Sequence, residues 1–203
     1  MRSSLALLTM LALAAVIVAV PQAQTSIGTQ ASCDKLAMMK LAGGTITSAK
    51  LVAAGAMPAP AARGGGPAAG GRGNPFADLP AVCQVAATMK PSADSNIKIE
   101  VWMPASGWNG KLRGTGNGGL GGGVGANANA LAAAVRRGYA TVGSNTGHEG
   151  NSSYALEHPE QIKDFGYRAA HEMTVAAKTL IRSFYGSAPK LSLMRHSSCR
   201  KPT

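Results

Sequence analysis

The sequence predicts an α/β fold, a sheet with crossover helices. Three observations carry this. Ile97, Ile99 and Val101 alternate with Lys98, Glu100 and Trp102, the period-two pattern of a strand. An alanine-rich run over 126–137 reads as a helix, and Gly138 stands where a C′ glycine would end it. A longer helix over 160–185 places Ala170, Met173, Ala177, Ile181 and Phe184 on one face. The order strand, strand, helix, strand, helix, strand is that of a sheet built by crossovers.

The N-terminus comes first. Arg2 precedes an apolar run over residues 5–20, followed by Pro21 and Ala23. That is the layout of a secretory signal over 1–23, and the run is shorter than the ~20 residues a membrane span needs. A secreted or periplasmic location and a disulfide-permitting compartment follow as expectations. Cys33 and Cys83 could bridge, which would stabilise by about 4 kcal/mol in the chain-entropy view. Cys199 is then left over.

Residues 24–56 read as an ordered segment, with Thr45-Ile46-Thr47 as a short strand. Residues 57–75 are nearly all Gly, Pro and Ala, cannot bury an apolar face, and predict a mobile loop. Order resumes at Phe76, and residues 76–194 hold the α/β pattern. Pro104, Gly107 and Asn109-Gly110 mark a turn, and 111–116 a second strand. A glycine-rich loop covers 114–125. Residues 139–144 form an apolar strand, Gly186 and Pro189 end the long helix, and 191–194 could be one more strand.

The formal charge is +11, yet only 14% of residues are charged and 4% are aromatic. The excess is scattered over Arg63, Arg72, Lys90, Arg136, Arg137 and the tail at 195–201. No basic stripe with interleaved aromatics appears, so nucleic acid is not an expected partner.

Gly114-Thr115-Gly116-Asn117-Gly118-Gly119 matches the dinucleotide fingerprint and lies between a strand and a helix. The acidic residue required about 20 positions on is missing, since no Asp or Glu lies between Glu100 and Glu149. The same loop can aim backbone N–H groups at the oxyanion of a tetrahedral intermediate, with Asn117, Gly118 and Gly119 as candidates. It can equally be a tight turn that needs positive φ. His148 reads as a site or metal residue, or as a loop histidine bonded to backbone. His158-Pro159 looks like a helix lead-in. His171-Glu172 begins like HExxH, but Val175 replaces the second histidine. No cysteine lies in a CxxC, and no metal ligand set is assigned. No GxSxG elbow occurs. Ser197 and Ser198 are flanked by bulky basic residues, where the elbow needs small ones.

Three strings make a resemblance. Residues 85–122 are similar to the segment of the tannase/feruloyl esterase family that leads into its glycine loop. Residues 138–148, GYATVGSNTGH, resemble its next strand and TGH turn. Residues 154–190 look like its following helix, up to the strand before the elbow. The resemblance implies an α/β-hydrolase sheet, here incomplete and without the lid domain. It implies a secreted serine carboxylic ester hydrolase acting on phenolic-acid esters through a Ser-Asp-His triad. It implies that Cys33 and Cys83 match a family disulfide, that Gly118-Gly119 match the oxyanion loop, and that His148 and His171 are not the catalytic base. Calcium belongs to the family's lid and is not expected in this chain. A small phenolic ester is the expected partner of the full-length enzymes, with no stable membrane association once the signal is removed.

At Leu191 the likeness stops, and 195–203 read as an aberrant tail, as after a frameshift or early stop. The nucleophile, the aspartate and the histidine have no counterpart, so the polypeptide alone is expected to be inactive. Its sheet should present an unpaired edge, with poor solubility and weakly cooperative unfolding for residues 24–203. Two other readings stand beside this one: a non-catalytic exported binding module, and a nucleotide-binding domain.

Overall fold

The computed structural model describes residues 28–59, 73–117, 121–150 and 152–195. The predicted signal, the middle of the predicted mobile loop (60–72) and residues 196–203 lie outside that range. Among the described residues seven strands form one sheet: β1 (Lys40–Leu41), β2 (Gly44–Val52), β3 (Val82–Met89), β4 (Ile97–Pro104), β5 (Lys111–Thr115), β6 (Ala140–Ser144) and β7 (Leu191–Arg195). Their spatial order is β1-β2-β3-β4-β6-β5-β7. Pairing is antiparallel from β1 to β6, and parallel between β6 and β5 and between β5 and β7.

Among the described residues four α-helices accompany the sheet: α1 (Gln30–Ala37), α2 (Ala128–Val135), α3 (Pro159–Lys163) and α4 (Ala169–Tyr185). The chain leaves β5, crosses by α2 to β6 on one side of it, and returns by α4 to β7 on the other. Strand order therefore reverses at β5, and the two crossovers cover opposite faces. Leu131, Ala132 and Val135 of α2 pack with Phe76, Leu79 and Trp102. Met173, Ala177, Leu180, Ile181 and Phe184 of α4 pack with Leu112, Val101 and Val142 on the other face. Their three-and-four spacing is that of a helix with one buried stripe. Each Leu, Ile, Met or Phe buried there contributes roughly 1.5–3 kcal/mol of transfer free energy.

The strands expected at 97–101, 111–116, 139–144 and 191–194 are present, as is the left-handed Gly138 at φ 75°. The expected bridge is present: Cys33 of α1 is bonded to Cys83 with Cα atoms 5.7 Å apart. Three features differ. Residues 82–89 form β3, a strand that the sequence did not announce, because Ala86, Ala87 and Thr88 dilute its apolar alternation; β2 pairs along it. The described ends of the 57–75 loop are fastened, for Met57 is buried and its carbonyl accepts from Asn74 Nδ2 at 2.7 Å. The long helix is three pieces: α3, a π-helical turn over Asp164–Arg168, and α4.

Candidate active site

In a sheet of this kind ligands bind beyond the carboxyl ends of the parallel strands, where the order reverses. A cavity of about 210 Å³ lies there, walled by Gly116, Asn117, Ser144 and Thr146 on the strand side and by Phe165, Gly166, Ala170 and Met173 on the helix side. Met194 of β7 closes its third wall.

The strand side begins with the glycine loop. A Cβ on Gly114 would stand 2.6 Å from Met194 Sδ, so the first glycine of the motif serves close packing under α4. Gly116 donates its backbone N–H to Arg195 O at 3.0 Å. Asn117 Nδ2 donates to Ser144 O at 3.2 Å, and Asn127 Nδ2 donates both to Ser144 O at 3.1 Å and to Asn117 Oδ1 at 2.6 Å. Asn127 is buried, and a Cβ on Gly143 would stand 3.2 Å from its Cβ. The two asparagines thus clamp the loop to the end of β6. The Asn117 side chain is committed to that clamp. Gly118 and Gly119 lie outside the described residues.

The second wall is the turn after β6. Asn145 is fully buried; its Oδ1 accepts from Lys98 N at 2.9 Å and Gly147 N at 3.0 Å. Thr146 follows with φ 57°, a left-handed conformation that a β-branched residue adopts only when its surroundings force it. Gly147 has φ 88°, and a Cβ there would stand 2.6 Å from Asp164 Cβ. The π-helical turn is what brings Asp164 this close and aims Phe165 and Gly166 at the cavity; such turns recur at functional sites. Burial raises the Asp164 carboxyl above its ordinary value, against the pull of Ser95 and Arg168. Arg168 donates to Asp164 Oδ1 at 3.0 Å and to Glu160 Oε2 at 2.7 Å.

His148 is buried behind this turn rather than in the cavity wall. Its ring stacks on Tyr154 at 3.8 Å and meets Phe165 edge-on at 5.6 Å, with Nδ1 3.3 Å from Thr146 Oγ1. His158 caps α3 ahead of Pro159 and pairs with Asp94 at 3.1 Å. His171 is exposed on α4 and Glu172 half-buried beside it. Glu149, the first acid after the glycine loop, pairs with Lys98 at 3.2 Å. Among the described residues no group of three or more His, Cys, Asp or Glu is placed to hold a metal ion. No helix among them is long and apolar enough to cross a membrane.

Three residues of the site were not singled out in the sequence: Asn127, Thr146 and Asp164. Asn127 stood inside an alanine-rich helix, and its partners are 10 and 17 positions away. Nothing in a single sequence marks a threonine as left-handed. Asp164 followed by Phe165-Gly166 offered one usable hint, a glycine inside a helical run.

The chain is similar to known proteins. A family model described as "Tannase and feruloyl esterase" matches residues 83–199, more than half of the chain, and runs past Leu191 to include Ser197, Ser198 and Cys199. An uncharacterized esterase of Xanthomonas campestris pv. campestris is 34% identical over 171 residues, which are 83% of this chain and 27% of that protein. The "Probable feruloyl esterase B-1" of Aspergillus fumigatus is 40% identical over 111 residues, covering 54% of this chain and 20% of its own. The crystal structure of feruloyl esterase B from Aspergillus oryzae superposes with a TM-score of 0.68 at 32% identity, over 82% of this chain and 32% of that one. The chain thus spans less than a third of the length of each.

Proposed function

Since the chain belongs to the tannase and feruloyl esterase family, we propose that it carries the oxyanion half of an exported serine esterase site for phenolic-acid esters. The observation that supports this most is the cavity at the carboxyl ends of β5, β6 and β7. It joins a glycine loop clamped by Asn117 and Asn127 to an apolar wall of Phe165, Ala170, Met173 and Met194. In this reading the ester carbonyl enters the cavity, and backbone N–H groups of Asn117, Gly118 and Gly119 hold its oxygen as negative charge develops. In an active esterase of this family the attacking serine would stand on the turn after β7, facing this cavity. The aromatic acyl group lies against the methionine and phenylalanine wall.

Ser197 and Ser198 follow β7, outside the described residues. Their neighbours Arg195, His196, Arg200 and Lys201 are too bulky for a strained elbow. The 203-residue polypeptide alone is therefore proposed to be inactive, its triad partners belonging to the rest of an esterase domain. The disulfide and the N-terminal signal pattern support export.

A chimera tests this. Residues 28–195 replace the matched third of Aspergillus oryzae feruloyl esterase B, and the product is assayed with methyl ferulate and methyl gallate. Turnover of either ester is expected. A chimera with the parent's circular dichroism and disulfide content, but no turnover, would refute the reading. Binding of NAD at the glycine loop would favour the nucleotide alternative instead.

A further inference from the structure

The turn after β6 and the π-helical turn reach the cavity from different elements, and one buried ring touches both. His148 is only 4% exposed. Its Nδ1 lies 3.3 Å from Oγ1 of Thr146, which walls the cavity on the strand side. Its ring meets Phe165, which walls the helix side, edge-on at 5.6 Å. Tyr154 stacks on the ring at 3.8 Å and stands 5.7 Å from Phe165, so the three rings close a triangle. A Cβ on Gly122 would stand 2.7 Å from His148 Cδ2, so the glycine loop also runs against the edge of this ring. One side chain thus joins the glycine loop, the turn and the π-helical segment.

The hydrogen bonds decide where the ring carries a proton. Thr146 Oγ1 is 2.6 Å from Asn145 O, a carbonyl that can only accept, so the single hydroxyl proton points there. Towards His148 the hydroxyl can then only accept, and Nδ1 must be the donor. Thr146 is left-handed, with φ 57°. A β-branched residue keeps that conformation only when its contacts hold it. Its N–H donates to Ser144 Oγ at 3.3 Å, and the two bonds of its hydroxyl complete the hold. A phenylalanine at 148 could supply the aromatic packing; Nδ1–H is what a hydrocarbon ring lacks.

We propose that His148 is a positioning residue for the ester site. Its Nδ1–H holds Thr146 left-handed on the strand wall while its ring holds Phe165 on the helix wall, and together these set the width of the cavity for the acyl group. The inference rests on the ester reading of the cavity. It assigns the histidine no proton transfer, because Nδ1 is engaged and the ring stands behind the turn.

The test has a spectroscopic and a binding arm, both on the full chain. Nitrogen NMR of the His148 ring is expected to show a proton on Nδ1; a bare Nδ1 overturns the proposal without any variant. Amide-resolved titration with methyl ferulate then compares wild type with His148→Phe, which keeps an aromatic ring and removes Nδ1–H. The dissociation constant is expected to rise roughly 3- to 10-fold, the worth of one hydrogen bond, with the Thr146 and Gly147 amides displaced. Adding Thr146→Gly to His148→Phe should restore the affinity, since glycine takes positive φ without being held. A general loss of packing would not be reversed that way. Equal affinity in His148→Phe, or a loss that Thr146→Gly does not restore, overturns the role of His148 and leaves the ester site standing. No uptake of methyl ferulate by the wild-type chain overturns the ester site itself, and this role with it.

Discussion

Removing the Asn127 amide should loosen the glycine loop from β6, and the size of the effect can be worked from its contacts. In Asn127→Ala the Ser144 carbonyl keeps Asn117 Nδ2 at 3.2 Å but loses its donor at 3.1 Å, and Asn117 Oδ1 loses its donor at 2.6 Å. Two hydrogen bonds at about 1 kcal/mol each give a destabilisation of about 2 kcal/mol. Water can reach half-buried Asn117, which keeps the figure from rising further. Asn127→Asp should be worse, by about 1–3 kcal/mol more, because a carboxylate oxygen would face two acceptors in a buried position. Urea titration followed by tryptophan fluorescence, with hydrogen exchange at the Gly116 and Asn117 amides, reads both effects. The expected order of stability is wild type, then Asn127→Ala, then Asn127→Asp, with faster exchange at the loop in both variants. Asn127→Asp tolerated as well as Asn127→Ala, or unchanged loop exchange, would refute the clamp.

Other outcomes follow from the same structure. Replacing both Cys33 and Cys83 by Ala should lower stability by up to about 4 kcal/mol, read by urea unfolding under non-reducing conditions. Gly122→Ala should disturb the His148 packing, since its Cβ would stand 2.4 Å from His148 O; a shifted His148 ring resonance in NMR spectra is the readout. Asp164 has a raised pKa in the folded chain, so the folded state binds its proton more tightly than the unfolded state does. That contribution is largest below the ordinary carboxylate value and is lost as pH rises through the raised one. Asp164→Asn should therefore flatten this part of the melting temperature's pH dependence, and an unchanged profile would contradict the assignment. The 203-residue polypeptide should form no covalent adduct with a fluorophosphonate probe, and a labelled Ser197 or Ser198 detected by mass spectrometry would show the opposite.

What the sequence revealed depended on how local each signal was. The strands at 97–104 and 140–144 carry their own apolar pattern, and α4 carries a full stripe. α1 does not: half of its eight residues are polar, and it is fixed by the Thr29 cap and by a disulfide to a strand 50 positions away. The glycine loop was legible as a motif but ambiguous in meaning. Its role depends on what stands opposite, and that is set by Ser144, Thr146 and the π-helical turn. Pairing of β5 with both β6 and β7, which creates the reversal point, is wholly non-local. The family resemblance supplied the neighbourhood of these pieces; the fold supplied the contacts.

Amide-resolved NMR titration of the chain with methyl ferulate addresses the site itself. Shifts concentrated at Gly116, Asn117, Ser144, Thr146 and Phe165 through Ala170 are predicted. Saturable shifts elsewhere with none at these residues would mean that the carboxyl edge of β5, β6 and β7 does not receive the ester.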